Sequence, residues 1–149
     1  MSRLESRLFP WHEDPEFFVA AVSFTAKETT FSARLVEKDY FCTVLLEYLT
    51  AVGNALVFKG GTYLAKIHAD FYRLSEDLDF VVSMPVDSSR AERSKKARSL
   101  KDIVTALPER LPGFRVVEPL TGANNSTQHN AIIGYQSMIA GKEETIKVE

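Results

Sequence analysis

Apolar positions recur along this chain at two periods, and the changes of period divide it into elements. From Glu16 to Lys27, Phe17, Phe18, Ala21, Val22 and Phe24 return at helical spacing, which predicts a first helix. Pro15 suits its first turn, and Asp14 before it can cap the free N–H groups. Leu35, Val36, Tyr40, Val44, Leu45, Tyr48 and Leu49 predict a second helix, capped by Thr30 or Ser32, reaching about Val52 and stopped by Gly53-Asn54. Beyond it the runs shorten. Leu56 to Phe58 predicts a buried strand, Gly60-Gly61 breaks it, and Thr62 starts a helix through about Ala69. Asp77 to Val82 predicts a second strand, ended by Pro85. Ser88 to Leu107 predicts a long charged helix with Ser88 or Ser89 as cap. Phe114 to Glu118, Asn130 to Ile139 and Thr145 to Glu149 predict further strands, with Gly141 in a turn and the small, polar stretch Thr121 to His129 as a mobile loop.

Two helices, a strand-helix-strand unit, one more helix and several strands predict an α+β fold, a mixed sheet with helices packed on it. The length of 149 residues suits one domain, so residues 1–149 form one core domain in this reading. The last strand ends without a tail, and the reading takes the chain as the N-terminal core of something longer. Net charge is −2, so any nucleic-acid contact must come from a local patch rather than from the whole molecule. One cysteine, Cys42, excludes a disulfide framework within the chain and fits a reducing, cytoplasmic setting. No apolar run approaches the roughly 20 residues of a membrane span, so no membrane partner is expected.

Two motifs carry chemistry. Lys59-Gly60-Gly61-Thr62 joins a strand to a helix. Two glycines permit positive φ and remove the side chains that would block a phosphate, while the N–H groups of the following turn point outward and Thr62 adds a hydroxyl. Paired glycines after a strand also serve as plain tight turns, and that reading stays open for the motif alone. In Ser75-Glu76-Asp77-Leu78-Asp79-Phe80, alternation sends Asp77 and Asp79 to one face and Leu78 and Phe80 to the core. Adjacent carboxylates repel each other, and a divalent cation removes the conflict; oxygen-only ligands point to Mg²⁺ or Mn²⁺. A solvated acidic strand end is the plainer alternative. Together the motifs supply what nucleotidyl transfer needs, a cradle for a triphosphate and metal ligands at the reacting phosphorus.

Glu37-Lys38-Asp39-Tyr40, Val57-Phe58-Lys59-Gly60-Gly61-Thr62-Tyr63-Leu64-Ala65-Lys66 and Arg73-Leu74-Ser75-Glu76-Asp77-Leu78-Asp79-Phe80 resemble the AbiEii/AbiGii-type toxin nucleotidyltransferases, within the DNA polymerase beta-like superfamily. The resemblance covers residues 35 to 82 well and the rest weakly. It implies a nucleoside triphosphate held by Gly60, Gly61 and Thr62, and metal ions held by Asp77 and Asp79. It also implies a third carboxylate on a later strand, which joins in holding a metal ion and helps that ion activate the attacking hydroxyl; Glu149 is the candidate, with Lys147 near the phosphates. Arg73 and Ser75 match the family motif and are candidates for orienting the loop or contacting phosphate. Lys59 and Lys66 flank the turn and are candidates for adding positive charge. Glu37 to Tyr40 are expected to serve the second helix structurally. Family members are usually about twice as long, with a helical C-terminal region, so the resemblance implies that these 149 residues are a fragment of something longer.

Arg90, Arg93, Lys95, Lys96, Arg98 and Lys101 crowd the long helix, either as a solvated face or as a track for an RNA backbone. The expected function is metal-dependent transfer of a nucleoside monophosphate from a triphosphate to a tRNA 3′ end or a protein hydroxyl, with a cognate antitoxin as partner. The alternative is a non-catalytic nucleotide- or partner-binding module. A third reading keeps the chemistry and gives it a small-molecule acceptor.

Overall fold

The computed structural model describes residues 10–52, 56–63, 66, 74, 76–123 and 127–149. After a 3₁₀ turn at Pro10–Glu13 come helices α1 (Pro15–Glu28) and α2 (Ala33–Val52), strand β1 (Leu56–Lys59), the one-turn helix α3 (Gly60–Tyr63) and strand β2 (Asp77–Val82). Helices α4 (Arg90–Thr105) and α5 (Leu107–Arg110) follow, then strands β3 (Phe114–Ala123), β4 (Gln128–Gln136) and β5 (Glu143–Val148). The strands form one mixed sheet in the order β1-β2-β5-β4-β3, parallel between β2 and β5 and antiparallel elsewhere. The fold is therefore the α+β mixed sheet with packed helices that the patterning predicts.

Local chemistry sets the helix starts. Asp14 accepts a hydrogen bond from Phe17 N at 3.1 Å, and Pro15 occupies the first turn of α1. Ser32 accepts from Leu35 N at 3.3 Å at the start of α2. In α4, Ser89 and Glu92 form a reciprocal capping box.

Leu78, Phe80, Ala131, Ile133, Tyr135, Ile146 and Val148 line the helix-covered face of the sheet. Phe18 and Val22 of α1 and Phe41, Cys42, Val44, Leu45 and Leu49 of α2 join them in one core. Phe41 stacks on Tyr135 with ring centroids 4.2 Å apart. Burial pushes the Cys42 thiol up to about 12, so it stays protonated at neutral pH.

Four expectations need correction. Strand β3 does not end at Glu118 but continues to Ala123, because register shifts around Glu118 accommodate Pro119 as a bulge on an edge strand. The loop expected from Thr121 to His129 is shortened accordingly, since β4 begins at Gln128. The long helix breaks at Ala106, and Pro108 opens α5 as a separate turn. Strand β4 stops at Gln136, and Ser137 to Lys142 make the turn into β5, with Gly141 at φ 66°. The expected stop at Gly53-Asn54 and most of the expected helix from Thr62 to Ala69 lie outside the described residues.

Candidate active site

Alternation along β2 builds the candidate site. Leu78 and Phe80 point into the core, so Asp77, Asp79 and Val81 share the opposite, open face. Neither aspartate carboxylate has a hydrogen-bond or ion-pair partner among the described residues. The parallel pairing of β2 with β5 sets Asp77 beside Lys147, and the antiparallel pairing with β1 sets Asp79 beside Lys59. Carboxylates and amines thus alternate across three neighbouring strands on one face.

The glycine turn is built against this pair. Gly60 has φ 81°, a left-handed conformation that residues with a Cβ rarely adopt. A Cβ there would lie 2.3 Å from Asp79 Oδ2 and 3.1 Å from Asp79 Cβ and Cγ. Gly60 therefore meets two requirements at once, the backbone turn and the close approach of the Asp79 carboxylate. Thr62 is buried, and its hydroxyl donates to the Asp77 carbonyl oxygen at 2.6 Å. That bond ties α3 to the backbone of β2, so the hydroxyl hydrogen is committed to the strand rather than pointing outward.

Glu149 continues the parallel ladder. Its N–H donates to the Leu78 carbonyl at 2.9 Å, and its carbonyl accepts from Phe80 N at 2.8 Å. Both the N–H and the carbonyl of this last residue are thus paired with β2. Its carboxylate accepts from the Lys147 ammonium and from Gln128 Nε2. The Lys147 hydrogen bond holds the Glu149 carboxyl below the ordinary carboxylate range, with Gln128 and the Lys59 charge acting in the same direction. The same bond raises Lys147, helped by the charges of Glu149, Asp77 and Asp79.

Oxygen-only donors on one exposed face suit a hard divalent cation, so Asp77 and Asp79 fit Mg²⁺ or Mn²⁺ as a partial ligand set. No group of three Asp, Glu, His or Cys side chains among the described residues is arranged to hold a cation. Glu149 is accordingly a neighbour of the pair, occupied by Lys147 and Gln128.

Lys66, expected to add positive charge beside the turn, is engaged by α2. Its ammonium is buried, 2.7 Å from Asp39 Oδ1 and 2.9 Å from Thr43 Oγ1, so α2 holds it. Arg73 and Ser75 lie outside the described residues.

The charged run in α2 that was expected to be structural is so in a specific way. Glu37 is fully buried and accepts from Ser137 Oγ at 2.5 Å, Met138 N at 2.7 Å and Ile139 N at 3.3 Å, gripping the β4–β5 turn. Lys38 pairs at 3.2 Å with Glu76, the residue before Asp77. Asp39 holds Lys66. Three consecutive side chains thus fasten α2 to three other segments of the fold. Gln128 escaped the sequence reading; its only signal is its place at the start of a strand paired with the last one.

Over residues 44–149 the chain is similar to the family described as Nucleotidyl transferase AbiEii toxin, Type IV TA system. That span contains β1, α3, β2 and Glu149 and begins within α2, so Glu37 to Tyr40 precede it. No curated protein and no solved structure matches the chain at a significant level.

Proposed function

Since the chain belongs to the AbiEii nucleotidyl transferase toxin family of type IV toxin–antitoxin systems, we propose that it transfers a nucleoside monophosphate from a nucleoside triphosphate to the 3′ end of a tRNA. The observation that carries this reading is the contact of Gly60 with the Asp79 carboxylate, which makes the glycine turn and the carboxylate pair one unit. Asp77 and Asp79 would hold Mg²⁺ or Mn²⁺, whose positive charge offsets the charge that develops on the reacting phosphoryl oxygens. Gly60 and Gly61 keep the turn free of side chains where phosphate oxygens lie. Thr62 holds the turn against β2 and leaves the backbone N–H groups to meet the triphosphate. Lys59 and Lys147, on either side of the pair, add positive charge for the triphosphate. Glu149 takes the proton of the attacking hydroxyl once Lys147 turns to the phosphates, and Gln128 keeps its carboxylate aimed.

Family membership also implies a cognate antitoxin. The cytoplasm is the proposed setting; among the described residues no helix is long and apolar enough to cross a membrane.

The test is incubation with each labelled triphosphate, Mg²⁺, and a panel of tRNA, protein and small-molecule acceptors. The expected result is label at the tRNA 3′ end with release of pyrophosphate. Label on a protein or a small molecule would keep the chemistry and replace the acceptor. A second reading, a module that binds triphosphate without transferring, draws on the Glu149 carboxylate being engaged by Lys147 and Gln128. Metal-dependent binding with no label on any acceptor would establish it.

A further inference from the structure

The basic helix α4 does not present all its cations to solvent. Arg90, Lys95, Arg98 and Lys101 are exposed, whereas Arg93 and Lys96 fall on the same stripe as Ala97, Leu100 and Val104. Their spacing of three to four residues places them on one side of the helix. That side faces a cavity of about 680 Å³ between α4, the end of α2 and the helix-covered face of the sheet. The volume lies within the range of small-ligand sites, about 300–1,000 Å³. Leu49, Phe80, Leu120 and Val148 form its apolar floor.

The rim is polar and asymmetric in charge. Lys59, Arg93 and Lys96 stand there against one carboxylate, Glu149, which Lys147 already neutralises. Among the described residues Lys59 and Lys96 have no ion pair, and Arg93 Nε is buried without a hydrogen-bond partner, although its Nη1 donates to the Ser88 carbonyl. Burial, with the Lys101 charge, lowers His129 below its ordinary value, so it adds no positive charge at neutral pH. A desolvated, unpaired guanidinium donor beside an apolar cavity calls for an anionic acceptor. Lys59, Gln128 and Glu149 line this cavity and also stand near the aspartate pair, so the cavity adjoins the candidate active site, although neither Asp77 nor Asp79 lines it.

We propose that this cavity binds a nucleoside monophosphate unit, its flat base and ribose over the apolar floor and its phosphate on Arg93 and Lys96. The source of that unit is either a free nucleotide or the terminal residue of an RNA strand. The proposal takes only this choice of ligand from the nucleotidyltransferase reading; the cavity and its charges stand without it.

The experiment measures binding in EDTA, with no divalent cation, of the four ribonucleoside monophosphates, a short oligoribonucleotide with a free 3′-hydroxyl, and inorganic phosphate. Calorimetry is run on the wild-type chain and on Lys96→Glu, Leu100→Trp and Asp77→Asn. Lys96→Glu reverses a rim charge, and Leu100→Trp fills the cavity; circular dichroism checks that each is folded. The expected result is nucleotide binding by wild type and Asp77→Asn alike, weakened about tenfold or more by Lys96→Glu and by Leu100→Trp. Tighter binding of the oligonucleotide than of the monophosphates identifies an RNA end as the source, and the reverse order identifies the free nucleotide; both support the site. No binding by the wild type, equal binding by folded Lys96→Glu, or inorganic phosphate bound as tightly as the nucleotides would overturn the proposal. Failure here with metal-dependent transfer intact leaves the proposed function standing. Cavity binding with no transfer to any acceptor removes that function and leaves the cavity site.

Discussion

Gly60→Ala separates the two demands that the structure makes on one residue. Gly60 and Gly141 both have positive φ, 81° and 66°, but a Cβ at Gly141 meets nothing within 4 Å, whereas one at Gly60 meets Asp79 Oδ2 at 2.3 Å. Alanine in the left-handed region costs about 1–2 kcal/mol, which both variants should lose. For a domain of this size that is a fall in melting temperature of roughly 2–8 °C. Only Gly60→Ala also displaces a functional group. Ordinary contact begins at 3.4 Å, so Asp79 Oδ2 must retreat by about 1 Å, and Asp79 Cβ and Cγ, at 3.1 Å, must yield by a few tenths. The carboxylate oxygen ends a short rotatable chain, so the move adds little to the stability loss. Its effect is on geometry, where a 1 Å misplacement costs on the order of a hundredfold. The assay is triphosphate binding and transfer in Mg²⁺, beside thermal melting of each variant. Gly141→Ala should bind and transfer within about twofold of wild type, and Gly60→Ala should fall about a hundredfold. If the two variants melt alike and also bind alike, the contact between the turn and Asp79 has no functional meaning and the reasoning fails.

Other perturbations probe the scaffold around the site. Glu37→Ala leaves the Ser137 hydroxyl and two backbone N–H groups of the β4–β5 turn without their acceptor, a loss of about 3–5 kcal/mol in urea unfolding; a change below about 1 kcal/mol would show that the turn holds without it. Glu37→Gln, which keeps an acceptor oxygen, should lose less. Arg34 donates to both oxygens of Glu144 and so holds that carboxyl below its ordinary value. A depressed carboxyl contributes stability above its unfolded value of about 4.3 and loses it as pH falls through the folded value. Wild type should therefore melt above Arg34→Gln at pH 7, with the gap closing below about pH 4; a gap independent of pH would exclude the pair as its source.

What could be foreseen follows from what is local. Strand β2 and its two faces were legible because Leu78 and Phe80 alternate with Asp77 and Asp79, and alternation alone decides which side chains share a face. The start of α1 was legible because Asp14 and Pro15 act within one turn. The extension of β3 was not, because a proline reads as a strand end unless a bulge absorbs it, and the bulge depends on the partner strand. The partner of the Lys66 ammonium could not be foreseen, since Asp39, which holds it, lies in another element. A structural role for Glu37 could be expected, but not what it holds, because its partner Ser137 is 100 residues away. At the candidate site, the carboxylate pair and the glycine turn could each be seen. Their contact through Gly60 and Asp79, and the grip of Gln128 on Glu149, are tertiary facts that no spacing reveals.

The central claim is that the glycine turn and the aspartate pair form one site for a metal-bound triphosphate. Calorimetric titration with a nucleoside triphosphate tests it most directly, in Mg²⁺ and in EDTA, with wild type, Asp77→Asn and Asp79→Asn. The account predicts binding by wild type that needs the metal and disappears in both folded variants, because an amide cannot replace a charged oxygen ligand of a hard cation. Equal affinity in EDTA, or metal-dependent binding retained by either variant, would contradict it.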